Sequence, residues 1–246
     1  MSIKSCQDEA QHFSSVLGLN VQSLRFHHPE LILLLETLSN KPEAIILTET
    51  WLTENDPLTK LNIDGYQPIE SKPRKCMKRR SGGVAFYFKK GIKYYPIEFQ
   101  TNIACSVYRV HLDSSNCRIF CVIYRPPSFK LNQFFSELEN LLHFLKSLND
   151  ESLIYGDFNI DMLKNEKVKK EYVNLLLAYG FKVQNLLPTR VTPTSKTCID
   201  HMITTKDQKT ETLETTISDH FAVTAEITLK VDKKNKLRLL TKKCAI

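Results

Sequence analysis

RIFCVIYRPPSFKLNQFFSELENLLHFLKSLNDESLIYGDFN, residues 118–159, is the stretch whose periodicity decides the fold. Arg118–Tyr124 reads as a strand, stopped by Pro126 and Pro127. Asn132 then caps a helix on which Phe134, Phe135, Leu138, Leu141, Leu142, Leu145 and Leu148 recur at helical spacing. Ser152–Tyr155 returns as an apolar strand. A strand, a crossover helix and a second strand form a βαβ unit, and the crossover forces its two strands to run parallel.

A similar unit lies upstream. Val16–Val21 reads as a strand, His28-Pro29 opens a helix with Leu31, Leu34, Leu35 and Leu38 on one face, and Ala44–Leu47 is the next buried strand. Between the units, Gly83–Phe88 and Val107–Leu112 alternate as antiparallel strands do. Val168, Tyr172, Leu175, Leu176 and Tyr179 mark a later helix ended by Gly180, and Ile199–Thr204 and Phe221–Leu229 close the domain as strands. No internal repeat or low-complexity stretch interrupts this order. The expected organisation is an extension over 1–12, one mixed α/β domain over 13–230 and a basic tail over 231–246.

The chain has 246 residues, 42% of them hydrophobic and 25% charged, which suits a folded domain and excludes a disordered or fibrous chain. No apolar run approaches the roughly 20 residues of a membrane span, and no signal peptide is legible, so an intracellular protein without membrane attachment is expected. The seven cysteines are scattered with no CxxC pair, which argues against structural zinc and for reduced thiols. Cys117 and Cys121 share one face of a strand. The net charge is +7, unevenly spread: nine bases and no acid lie between 72 and 93, and seven bases face Asp232 alone in 230–246. A basic loop and a basic tail on an acidic body suit a polyanion such as nucleic acid.

In open α/β sheets, chemistry gathers at the carboxyl ends of parallel strands. Those ends carry Asn20, Glu49 in LTETW, Tyr124 in IYRPP, and Asp157 with Asn159 in YGDFN. Strands of opposite sense reach the same rim with their starts, at Asp200 in CIDHMI and at Asp219-His220 in SDHFAV. Glu49, Asp219 and the carboxamides are the hard oxygen donors Mg²⁺ prefers. Asp157 can orient a water, and Asn20, Asn159 and Tyr124 can hold developing charge on phosphorus. His220 with Asp200 reproduces the His–carboxylate pairing, in which the acid sets the imidazole tautomer. His201 points to the other side of its strand and is read as structural. No G-x-S-x-G serine, Walker loop or G-x-G-x-x-G is present, so acyl transfer and nucleotide-triphosphate binding lack support.

In this order, LTETW, SGGVAFYF, YRPP, GDFN, IDH and SDH resemble the endonuclease/exonuclease/phosphatase superfamily, most closely the apurinic-type endonuclease domain of non-LTR (LINE-like) retrotransposons. The likeness runs over about residues 13 to 230. It implies a four-layered α/β sandwich of two packed mixed sheets flanked by helices, as in deoxyribonuclease I. It also implies Mg²⁺, with Mn²⁺ as a substitute, and nicking of target DNA to leave a 3′-hydroxyl in the nucleus, by a monomer. Carried over by motif, Glu49, Asn20 and Asp219 are the metal residues, Tyr124 the phosphate contact, Asp157 the water-positioning or leaving-group acid, Asn159 the oxyanion donor, Asp200 the orienting acid and His220 the phosphate-binding imidazole. Lys78, Arg79, Arg80 and Arg125 are the expected DNA-backbone contacts, in a basic 72–93 loop beside the site. Gln22 stands where abasic-site repair enzymes carry an acid. With no reverse-transcriptase segment in the sequence, a fragment or solitary descendant of a mobile element is expected. The alternatives are another phosphoesterase of the superfamily (an RNA deadenylase, an inositol or lipid phosphatase, a sphingomyelinase) or an inactive nucleic-acid-binding remnant.

Overall fold

A computed structural model of the chain describes residues 13–73, 81–112, 116–164 and 166–228. In chain order the elements are β1 (Phe13–Asn20), α1 (Leu24–Thr37), β2 (Ala44–Thr48), β3 (Glu70–Lys72), β4 (Val84–Phe88), β5 (Lys93–Ile97), β6 (Ala104–His111), β7 (Cys117–Tyr124), α2 (Leu131–Ser147), β8 (Glu151–Asp157), α3 (Lys167–Ala178), β9 (Lys182–Val183), β10 (Arg190–Thr192), β11 (Ser195–Thr197), β12 (Asp200–Thr204), β13 (Thr210–Leu213) and β14 (Ala222–Thr228). One six-stranded sheet has the order β13-β14-β1-β2-β4-β3, and the other β5-β6-β7-β8-β12-β9. β10 and β11 form a separate hairpin.

Both βαβ units exist as expected. β1 pairs parallel with β2 and β7 parallel with β8, while β14, β4, β6 and β12 run antiparallel to their neighbours. The two alternating runs between the units, β4 and β6, belong to different sheets. The helix boundaries depart from expectation. α1 starts five residues before Pro29, which lies inside it. Ser23 precedes it with φ 89° and no side-chain cap, and the Ser23 carbonyl takes the first-turn N–H groups of Phe26 and His27 instead. Asn132 is not the cap of α2 either; Lys130 holds that position, and the Asn132 amide oxygen accepts only from the next backbone N–H.

Three apolar clusters stack the layers. Leu24, Leu31 and Leu35 of α1 cover Leu17, Leu19, Ile45 and Leu47 on the outer face of the first sheet. Phe134, Leu138, Leu141, Leu142 and Leu145 of α2, with Tyr172 and Leu176 of α3, cover Ile119, Cys121 and Ile123 on the outer face of the second. Between the sheets lie Val16, Ile46, Phe86 and Val223 from one and Phe120, Val122, Tyr155 and Met202 from the other. The order is helix, sheet, sheet, helices: a four-layered sandwich, as the sequence led us to expect. At Gly18 the sheets touch so closely that an added Cβ would sit 2.2 Å from the Tyr155 ring. Among the described residues no helix is long and apolar enough to cross a membrane.

Candidate active site

The rim where the parallel strands end receives residues from both sheets. Asn20 closes β1, Glu49 follows β2, Tyr124 closes β7 and Asp157 closes β8. Asp200 opens β12 directly opposite Asp157 in register, and His220 lies two residues before β14. Asn20 Nδ2 donates to Asp157 Oδ2 across the gap between the sheets at 2.9 Å. The same amide nitrogen is 3.5 Å from His220 Nε2. His220 Nδ1 is 2.7 Å from Asp200 Oδ2, which also accepts from Thr189 Oγ1 at 2.8 Å. Asp157, Asp200 and His220 offer donor atoms all within 4.8 Å of one another, and all three are buried.

Glu49, whose charge acts on both Asp157 and Tyr124, has φ 54°, a left-handed conformation unusual for a glutamate and typical of strained functional positions. Its Oε2 accepts from Trp51 Nε1 at 2.7 Å and from the Gly82 N–H at 2.5 Å. The Tyr124 hydroxyl lies against it; burial, and then the Glu49 charge, hold that phenol protonated well above its usual range. Asp219 is flanked by Gln22 Nε2 at 2.6 Å on Oδ1 and Arg190 Nε at 2.7 Å on Oδ2. Burial would raise its pKa, but these donors and His220 bring it below the ordinary carboxylate value.

Charge within the cluster is unbalanced. Burial, followed by the Asp200 charge, pushes Asp157 up to about 8, against the pull of His220. His220 moves up as well: burial disfavours its charge, but Asp200, Asp157 and Asp219 more than offset that. Asp157 therefore keeps a proton near neutrality, beside an imidazole whose pKa is also raised and which shares its partner, Asn20. GDFN also forms an Asx turn, since the Asn159 N–H donates to Asp157 Oδ1 at 3.0 Å. It coexists with the site, because Asp157 Oδ2 still faces Asn20. Asn159, at φ 51°, gives one amide hydrogen to the Arg125 carbonyl at 2.9 Å.

Arg125 requires a correction. It is 4% exposed, and its guanidinium donates to the carbonyls of Phe158 (2.5 Å), Phe129 (2.9 Å) and Asn159 (2.9 Å). These oxygens lie in turns with no sheet partner, and a buried carbonyl needs a donor. Arg125 braces the GDFN turn from inside and is not an open contact for DNA. The basic 72–93 cluster is also not one loop. Five-residue β4 runs through it, so Gly82 is beside Glu49 whereas Lys89 lies at the far end of the sheet, against Glu43. Lys72 donates to the Cys105 carbonyl. Lys78, Arg79 and Arg80, like the 1–12 extension and the 231–246 tail, lie outside the described residues.

Sequence reading missed Thr189, Arg190 and Trp51. Thr189 is fully buried; besides binding Asp200 Oδ2, its hydroxyl accepts from the N–H groups of Ile199 and Asp200. Trp51 was legible as the residue two beyond Glu49 in TETW, but nothing in PTRVT marks Thr189 or Arg190. Hard oxygen donors suit a divalent cation, and the rim supplies the carboxylates of Glu49, Asp157, Asp200 and Asp219 with the Asn20 amide; the donor atoms that converge within 4.8 Å are those of Asp157, Asp200 and His220. Among the described residues the free thiols Cys105, Cys117, Cys121 and Cys198 are not part of this set.

The comparisons with known proteins agree with this fold. No curated protein matches the sequence significantly. The endonuclease domain of TRAS1, a telomere-specific non-LTR retrotransposon, matches the structure with a TM-score of 0.67 at 13% identity, over 89% of this chain and 100% of that one. AP endonuclease LMAP from Leishmania major gives 0.70 at 13% identity, over 93% and 91%. The 3′ phosphatase NExo from Neisseria, bound to a product DNA hairpin, gives 0.60 at 18%, over 88% and 100%. At such identities these likenesses establish the fold. The sequence itself matches the family model described as Endonuclease/Exonuclease/phosphatase family over residues 17–220, which takes in every rim residue from Asn20 to His220. The chain therefore belongs to the endonuclease/exonuclease/phosphatase family and is an enzyme of that phosphoesterase family.

Proposed function

We propose that the protein is a Mg²⁺-dependent DNA endonuclease that nicks one strand and leaves a 3′-hydroxyl, in the manner of retrotransposon endonucleases. The observation that carries this reading is the contact of Asn20, from one sheet, with Asp157 and His220. Fold closure thus gathers a proton donor, an imidazole and hard oxygen donors at one rim. DNA is favoured over other phosphoesters by the basic stretch that precedes Gly82 in sequence, and by neighbours whose titles name a retrotransposon endonuclease, an AP endonuclease and a DNA-bound phosphatase.

Glu49, Asn20 and Asp219 would hold the metal, which when bound supplies positive charge to the phosphoryl oxygens. The chain's own groups do the rest. Asp200, facing His220 Nδ1, favours the charged imidazolium, in which Nδ1 donates to Asp200 and Nε2 carries a second proton toward a non-bridging oxygen. Asn159 and Tyr124 donate to the negative charge that builds on phosphorus. The oxygen of water attacks in line, the phosphorus–O3′ bond breaks, and the proton lost by the water passes to solvent, from which Asp157 is reprotonated. Asp157, whose raised pKa keeps a proton available near neutral pH, protonates the departing O3′. The products are a 3′-hydroxyl and a 5′-phosphate, and such work on chromosomal DNA belongs in the nucleus.

The test is nicking of supercoiled plasmid with EDTA, then with Mg²⁺ or Mn²⁺ restored, followed by polymerase extension of the nick. Extension without phosphatase treatment is expected. A panel adding poly(A) and an inositol phosphate separates the DNA reading from deadenylase or lipid phosphatase activity. Asp157→Ala or His220→Ala should remove at least about 99% of nicking with the fold retained by circular dichroism. Activity near the parent level in either variant refutes the assignment.

A further inference from the structure

Arg190 has no role in the chemistry above, yet it is fixed at the rim of the site. Its backbone bridges to His220, the Val191 N–H donates to the Asp219 carbonyl at 3.0 Å, and the Phe221 N–H donates to the Thr189 carbonyl at 2.6 Å. The start of the β10–β11 hairpin is thereby stitched to the SDH segment on both sides. The side chain meets Asp219 through Nε alone. An arginine used only to neutralise a carboxylate commonly engages it with two parallel N–H donors. Here the second carboxylate oxygen is taken by Gln22 Nε2, and among the described residues the two terminal nitrogens of Arg190 have no partner. The side chain remains 42% exposed.

Its neighbours identify what those nitrogens face. Asp219 Oδ1 lies 3.6 Å from His220 Nε2, so the guanidinium is one carboxylate away from the imidazole assigned to the phosphate. The rim holds Glu49, Asp157, Asp200 and Asp219, and Arg125 is consumed by carbonyls. A polyanionic strand entering this acidic rim needs a fixed cation with free donors. A planar guanidinium anchored at Nε presents two such donors to a phosphate.

We propose that Arg190, held on Asp219, binds a backbone phosphate of the substrate strand at or directly beside the scissile position, with Gln22 fixing the carboxylate that aims it. This rests on the nuclease reading given above. Arg190 is then a substrate-binding residue with Asp219 and Gln22 as its positioning partners, and the amide at position 22 has a purpose that an acid there could not serve as well. An acid would compete with Asp219 for the guanidinium.

The experiment uses the whole chain with Ca²⁺ in place of Mg²⁺ and a duplex oligonucleotide, so that binding is read without cleavage. Arg190→Gln should lower the slope of log affinity against log salt by about one unit, the loss of one phosphate contact. Arg190→Lys should keep the slope. A scan placing single methylphosphonates at the scissile position and its two flanks should weaken the parent protein at one position and leave Arg190→Gln indifferent there. An unchanged slope, or methylphosphonate losses of equal size in parent and variant at every position, overturns the proposal and leaves Arg190 a structural partner of Asp219. Bis(p-nitrophenyl) phosphate serves as the separate control: a parent protein that binds no DNA yet hydrolyses this diester removes both the DNA reading and the proposal, while binding with an unchanged slope removes the proposal alone.

Discussion

The dipeptide Asp-His occurs twice, at 200–201 and 219–220, and its two copies have opposite fates. Asp200 does not serve its neighbour; it crosses to His220 at 2.7 Å. His201, on the other face of β12, is fully buried, bonded to the Tyr172 hydroxyl at 2.9 Å and near the Cys198 carbonyl at 3.1 Å. Its ring stacks on Phe158 with centroids 5.1 Å apart. Burial, outweighing its hydrogen bond to Cys198 and the nearby Asp200, pulls its pKa down to about 4. A folded-state pKa below the unfolded value of about 6.5 means that the neutral ring stabilises the fold above pH 6.5, and that this is lost as pH falls toward 4. The shift corresponds to about 3 kcal/mol. His201→Gln should flatten the stability profile between pH 6.5 and 4 in urea melts, whereas a profile as steep as the parent's would show that another group controls acid unfolding.

At the scale of elements, α2 shows what periodicity can and cannot deliver. Its apolar face was legible because Phe134, Leu138, Leu141, Leu142 and Leu145 repeat at helical spacing, and all are fully buried. Leu141→Ala should cost about 2–5 kcal/mol in chemical denaturation, and a loss below 1 would mean that the helix is loosely docked. The start of the helix was not legible, since Asn132 has the chemistry of a cap but the chain turns at Lys130. Pro29 misled in the same way: it suggested a boundary, while the Glu49–Ser23 and Thr50–Leu24 backbone bonds hold the chain in position to start α1 earlier. Gly18 belongs to this scale as well. Its strand runs under Tyr155, so Gly18→Ala should lower the melting temperature by roughly 10 °C or more, since the sheets must separate to admit the methyl group. Gly180→Ala, with open space around its Cβ and strain only from φ 79°, should cost less.

For the whole molecule, the governing fact is that the rim residues come from two sheets. Charge counting placed nine bases in one window, but β4 divides them, and Lys89 ends up beside Glu43 at the other end of the sheet. Of the described residues in that window, Gly82 meets Glu49 at the rim and Lys89 does not. Replacing Arg79 and Arg80 should therefore lower the salt slope of DNA affinity by up to about two units, while replacing Lys89, Lys90 and Lys93 should leave it unchanged. Equal effects from both sets would mean that DNA is gripped over the whole surface rather than at the rim.

The sequence by itself determined the two βαβ units and the family motifs, whose resemblance implied the four layers, because apolar spacing and strand ends are local properties written in consecutive residues. It also named Asn20, Glu49, Asp157, Asp200, Asp219 and His220 as a set. Only the tertiary structure decided which atoms meet: Asn20 on Asp157 across the sheets, Asp200 on His220, Trp51 and Gly82 on Glu49, and Arg190 with Gln22 on Asp219. It turned Arg125 inward and divided the basic cluster. Apart from Trp51 on Glu49, these pairings join residues from different elements, 20 positions apart for Asp200 and His220 and 197 for Gln22 and Asp219, and a hydrogen bond forms only where packing brings its donor within about 3 Å of its acceptor.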